Sequence, residues 1–143
     1  MVLRAVVSAP AVISHELLYQ RLIAFQGKSD RSRTTRSGME WFRDCYLACP
    51  EDARNPYASP LLAEDLRGLP PALVIAAECD PLRDEGEAYA VRLDRAGVPV
   101  TYQCYAGMIH PFFSMPGALP QARKAIEEVA GAVRTSPALS PSR

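Results

Sequence analysis

Between residues 70 and 134 the apolar and polar positions change rhythm in a readable order. Ala72 to Ala77 form a continuous apolar run, bounded by Pro70-Pro71 in front and Asp80-Pro81 behind. So short a run between turn residues predicts a strand buried on both faces, as in a parallel sheet. From Arg83 to Ala96 the apolar positions Ala88, Val91, Leu93 and Ala96 mix with charges, and Gly97 supplies the left-handed residue that closes a helix. The stretch "VPVTYQCYAG" alternates and is β-branched from Val98 to Tyr105, which predicts a second strand. Leu119 to Val133 then place Ala122, Ile126, Val129, Ala130 and Val133 on one stripe of a final amphipathic helix. Strand, helix, strand and helix joined by short links predict a right-handed crossover and a parallel strand pair, hence an α/β architecture.

Upstream the pattern is less decisive. In the first 26 residues "AVVSAPAV" suits a strand, whereas "HELLYQRLIAF" puts Leu17, Leu18, Leu22 and Phe25 on one helical face, so both readings stay open. The cationic stretch "QGKSDRSRTTRSG" reads as an exposed loop. A helix is predicted to begin near Ser37 or Gly38, carrying Met39, Trp41, Phe42, Cys45 and Tyr46, and to end at Pro50. Two prolines around Tyr57 in "NPYASPLL" predict an irregular connector. The tail "TSPALSPSR" has no core-forming run and is expected to be disordered.

Composition narrows the class. The chain has 143 residues, 48% of them hydrophobic and 22% charged, which suits one globular domain. With 16 Lys and Arg against 16 Asp and Glu, no basic excess exists to neutralise phosphates, so nucleic acid is not an expected partner. No window approaches the ~20 apolar residues of a membrane span. The opening "MVLRAVVSAPAVISHELL" is interrupted by Pro10 and is not expected to be a signal peptide. Cys45, Cys49, Cys79 and Cys104 follow no metal or disulfide spacing, and are expected to be reduced, core-packed thiols of a cytoplasmic protein. Only His15 and His110 are histidines, with no cluster of Cys or carboxylates around them, so neither a metal nor a cofactor is expected. Glu85 and Glu87 read as solvated helix charges.

Ligand chemistry in a parallel sheet gathers beyond the carboxyl ends of the strands. Asp80 directly follows the first strand and His110 lies in the loop after the second, so both side chains are expected at one edge of the sheet. A carboxylate beside an imidazole fixes the tautomer and stabilises the imidazolium while the other ring nitrogen works as general base. Plainer readings exist: Asp80 as the cap of a helix starting at Pro81, and His110 as a satisfied half-buried residue among Met108, Ile109, Phe112 and Phe113.

Three stretches in register, "NPYASPL", "PPALVIAAECDPLRDEGEAYAVRLDRAGVPV" and "YAGMIHPFF", resemble the carboxyl-terminal part of the hormone-sensitive-lipase-like carboxylesterases and lipases. The resemblance runs from Met39 to Val133. It implies part of an α/β-hydrolase fold, a short parallel sheet with flanking helices, in residues 37–134, after an ambiguous segment and cationic loop at 1–36 and before a disordered tail at 135–143. It implies hydrolysis of small-molecule esters through an acyl-enzyme, without a cofactor, with Asp80 and His110 as acid and base of a Ser-Asp-His triad. His110 is followed by Pro111 where the family usually has glycine. The family's G-x-S-x-G nucleophile turn and H-G-G-G oxyanion loop are absent from these residues. "GKSDR" at Gly27 to Arg31 lacks the second glycine, so Ser29 is not expected to be the nucleophile. The expectation is therefore an esterase portion lacking its serine, or alternatively an inactive truncated fragment or interaction module, with self-association through an exposed sheet edge.

Overall fold

The computed structural model describes residues 41 and 43–135, together with the backbone pairing of Val6–Ser8. Most of the ambiguous segment and cationic loop at 1–36 lies outside the described residues, as do the start of the helix expected at Ser37 or Gly38 and residues 136–143 of the tail expected to be disordered from 135; Thr135 itself closes the last helix. Strand β1 (Val6–Ser8) pairs in parallel with β2 (Ala72–Cys79), which pairs in parallel with β3 (Val100–Ile109), giving the sheet order β1-β2-β3. Helix α1 (Arg83–Arg95) connects β2 to β3, and α2 (Pro120–Thr135) follows a 3-10 turn at His110–Ser114.

The apolar run of β2 is buried on both faces because consecutive side chains alternate across the sheet. Ile75 and Ala77 pack with Tyr105, Phe112, Ala122 and Ala125, which places α2 on their side. Val74 is fully buried beneath α1, where Gly86 comes so close that an added Cβ would lie 3.8 Å from Val74 Cγ1. Leu66, Tyr89, Leu93 and Val98 form a second cluster that seals α1 to the sheet and to the connector before it. Gly97, at φ 76°, turns the chain out of α1 into β3.

Both helices differ in phase from the sequence reading. On α1 the buried positions are Glu85, Gly86, Tyr89, Ala90 and Leu93, whereas Val91 is 42% exposed and Ala88 is also exposed. Tyr89, the largest side chain on the helix, turns the buried face toward itself and carries Glu85, one turn earlier, inside; of the two glutamates expected to be solvated, only Glu87 is exposed. On α2 the wholly buried positions are Ala122 and Ala125, with Val129 packed beside them, while Ile126 and Val133 are exposed. Alanine there lets the helix approach the ring of Phe112 closely. Upstream, residues 41 and 43–46 are helical and the chain leaves the helix at Leu47, before Pro50, which instead opens a 3-10 turn at Pro50–Arg54. A second such turn at Pro60–Leu62 continues the connector, and the Arg92 guanidinium donates to the Leu61 and Ala63 carbonyls, fastening it to α1.

Candidate active site

Asp80 is the first residue beyond β2, and its side chain is 2% exposed. One carboxylate oxygen, Oδ1, accepts the Leu82 N–H at 2.9 Å, and the Asp80 carbonyl accepts the Arg83 N–H at 3.1 Å. Pro81 has no N–H to place, so this tight turn satisfies the donors that remain. The helix itself starts at Arg83 with Leu82 at its cap position, so Asp80 shapes the turn leading into α1 and is not the helix cap. The other oxygen, Oδ2, accepts a hydrogen bond from His110 Nδ1 at 2.7 Å. The plain reading and the chemical one thus fall on different atoms of one carboxylate.

His110 opens the 3-10 turn at the end of β3, with Pro111 in the first turn, where a fixed φ and a missing N–H cost little. Phe112, 3% exposed, anchors that turn: its ring lies 5.1 Å from that of Tyr105 and 6.3 Å from that of Phe113. The Tyr105 hydroxyl in turn donates to Glu128 Oε2 at 2.6 Å, tying β3 to α2. Burial and the Glu128 carboxylate both push the Tyr105 phenol above its usual range, so it stays protonated and keeps that bond. The His110 pKa is raised by its hydrogen bond to Asp80, which outweighs the opposing effect of burial. With Nδ1 committed to Asp80, Nε2 is the ring nitrogen left for proton transfer.

The two residues expected at one sheet edge are therefore in contact. Ser29 lies outside the described residues. The thiols were expected in the core, yet Cys45, Cys49 and Cys79 are exposed and Cys104 is only half-buried; none of them is in a disulfide. Cys45 belongs to a helical stretch whose Trp41 and Tyr46 are also exposed, and Cys79 has passed the buried part of β2. Among the described residues no group of three His, Cys, Asp or Glu could hold a metal ion, and no helix is long and apolar enough to cross a membrane. An open cleft lined by Asp65, Arg67, Arg92 and Arg95 lies at the far end of α1 and shares no residue with the pair.

Sequence reasoning missed Glu78, whose Oε2 accepts the Gly107 N–H at 2.6 Å, and Ser59, whose buried hydroxyl donates to the Ala53 carbonyl at 2.8 Å. Ser59 sits in the stretch already singled out between two prolines. Nothing in the alternation of β3 marks the partner of Glu78, apart from a glycine inside a strand pattern, which is itself a bulge signal.

Comparison with known proteins agrees with this arrangement. A family model described as alpha/beta hydrolase fold matches residues 9–114. An arylesterase of Saccharolobus solfataricus is 51% identical over 71 residues, covering 50% of this chain and 23% of the relative. A hormone-sensitive lipase of Ictidomys tridecemlineatus is 38% identical over 76 residues, 52% of this chain and 10% of its own. The structure of a hyperthermophilic esterase from Pyrobaculum calidifontis superposes with a TM-score of 0.79 at 40% identity, over 90% of this chain and 41% of that one. The chain thus spans well under half the length of these relatives. A parallel sheet with an Asp and a His joined beyond its strand ends, and a family match over most of its residues, place the chain in the alpha/beta hydrolase fold family, beside the hormone-sensitive-lipase-like esterases.

Proposed function

We propose that this chain supplies the acid and the base of a serine carboxylesterase acting on small-molecule esters, with Asp80 orienting the imidazole and His110 moving the proton. The observation that carries the reading is the 2.7 Å bond from His110 Nδ1 to the buried Asp80 carboxylate. In the reaction, Nε2 takes the proton of a serine hydroxyl as its oxygen attacks the ester carbonyl, then gives it to the departing alkoxide; water repeats the sequence to free the acid. No G-x-S-x-G or H-G-G-G motif occurs in the 143 residues, so the serine and the oxyanion donors come from sequence that these residues do not contain.

Residues 37–134 are the hydrolase portion in this reading. A cytoplasmic setting is supported by the free thiols, and the even balance of 16 Lys and Arg against 16 Asp and Glu argues against a nucleic-acid partner. The absence of a nucleophile motif favours one second reading, a non-catalytic module that pairs with another chain through its open sheet edge. The two are separated by joining the chain in frame behind the amino-terminal part of a relative such as the Pyrobaculum calidifontis esterase, and following release of p-nitrophenol from a short-chain ester. The catalytic reading predicts turnover in the fusion and background alone in the 143-residue chain, because loss of a triad nucleophile costs about 10⁶ in a well-studied serine protease. A folded fusion without turnover would favour the module. Because a base must be neutral, kcat/KM in the fusion is expected to rise as pH passes the raised His110 pKa.

A further inference from the structure

Between the paired residues Ala77↔Tyr105 and Cys79↔Ile109, one residue of β2, Glu78, stands opposite three of β3, Ala106 to Met108. Gly107, in the middle, has φ 70°, and an added Cβ there would meet nothing within 4 Å. Glycine is favoured by the backbone angle and not by lack of space. The Gly107 N–H donates to Glu78 Oε2 at 2.6 Å, a short, charge-assisted bond across the bulge. This bond lies just ahead of the pair on both strands, two residues before Asp80 and three before His110. A strand advances about 3.3 Å per residue, so the two extra residues absorbed by the bulge hold His110 back by roughly 6 to 7 Å. A hydrogen bond has only about 0.5 Å of useful range, so a β3 that lost the bulge would carry the imidazole past Asp80.

We infer that Glu78 is a positioning residue: by holding the Gly107 bulge it sets His110 within hydrogen-bonding distance of Asp80. This rests on the reading of Asp80 and His110 as a working pair, and concerns a residue that touches neither substrate nor the reacting atoms. Glu78 is exposed, so its bond adds little to overall stability, and its effect is on register.

The test is nitrogen-15 NMR of the His110 imidazole in the 143-residue chain above its titration, where the shifts of the two ring nitrogens show which one bears the proton. The wild-type chain is expected to hold the proton on Nδ1. Glu78→Gln removes the charge but keeps an acceptor for Gly107, and should behave as wild type. Glu78→Ala and Gly107→Ala attack the bond from its two ends, and both should give a mixture of tautomers with the backbone fold unchanged by circular dichroism. An unaltered Nδ1 tautomer in a folded Glu78→Ala chain would overturn the inference while leaving the pair intact. Unfolding of Glu78→Ala would also overturn it, since the bond would then be a scaffold contact. A wild-type chain with no preference for Nδ1 would instead sink the reading of the pair itself.

Discussion

Asp80 divides its carboxylate between a turn and a base, and that division has consequences that differ by substitution. Asp80→Asn keeps an oxygen to accept the Leu82 N–H but places no charge against the imidazole. The folded His110 pKa lies above the ordinary 6.5. Its contribution to stability is therefore complete below pH 6.5 and is lost as pH rises through the folded value. The gap in urea midpoint between the wild-type and Asp80→Asn chains should be widest at pH 6 and should narrow by pH 9; a gap that widens with pH would contradict the assignment. The residue scale was partly legible in the sequence. Asp80 and His110 could be found because the ends of apolar runs locate strand termini, and a resemblance in register named their roles. Gly107 carried a bulge signal as a glycine inside a strand pattern, but Glu78 could not be found, because which residue faces the bulge depends on how the two strands pair and not on either pattern alone.

At the scale of elements, periodicity gave the existence and order of β2, α1, β3 and α2 but misplaced the faces of both helices. Counting apolar residues treats Val91 and Leu93 as equals, yet they lie about 200° apart on a helix and cannot both face the sheet. Tyr89 decides between them, since a buried ring covers more area than Ala88 and Val91 can offer. Leu93→Ala is therefore expected to cost about 2 to 5 kcal/mol, whereas Val91→Ala should stay within about 0.5 kcal/mol, as exposed positions do. Urea denaturation of the two variants checks this, and equal losses would return the helix to the phase read from sequence. On α2 the same comparison sets Ala125→Leu, an overpacked core position expected to cost about 1 to 3 kcal/mol, against Ile126→Ala, expected to be nearly neutral. The core-packed cysteines were misjudged for a related reason: burial propensity is an average over thiols, and Cys45, Cys49 and Cys79 sit at or beyond the ends of the elements that could have buried them.

For the whole molecule, the described sheet has few strands, and β1 contributes only Val6–Ser8 to it. Among the described residues neither β1 nor β3 has a strand on its outer edge, and such an edge is a template for another chain, so the 143-residue protein is expected to associate as its concentration rises. Sedimentation velocity from micromolar to hundreds of micromolar protein measures this, and a clean monomer throughout would contradict it. The family was legible because its motifs after β2 and β3 stand in register across most of the chain, while the nucleophile could not be read from residues that lack its motif. The central claim is that Asp80 and His110 act as one unit. It is tested most directly by a double-mutant cycle in the fusion described above, measuring kcat on a p-nitrophenyl ester for wild type, Asp80→Asn, His110→Ala and the double variant. In comparable triads, loss of the acid costs about 10⁴ and loss of the base about 10⁶. The account predicts a double variant no slower than His110→Ala alone, because a carboxylate with no imidazole to orient has nothing left to contribute; losses that multiply, or turnover untouched by either change, would contradict it.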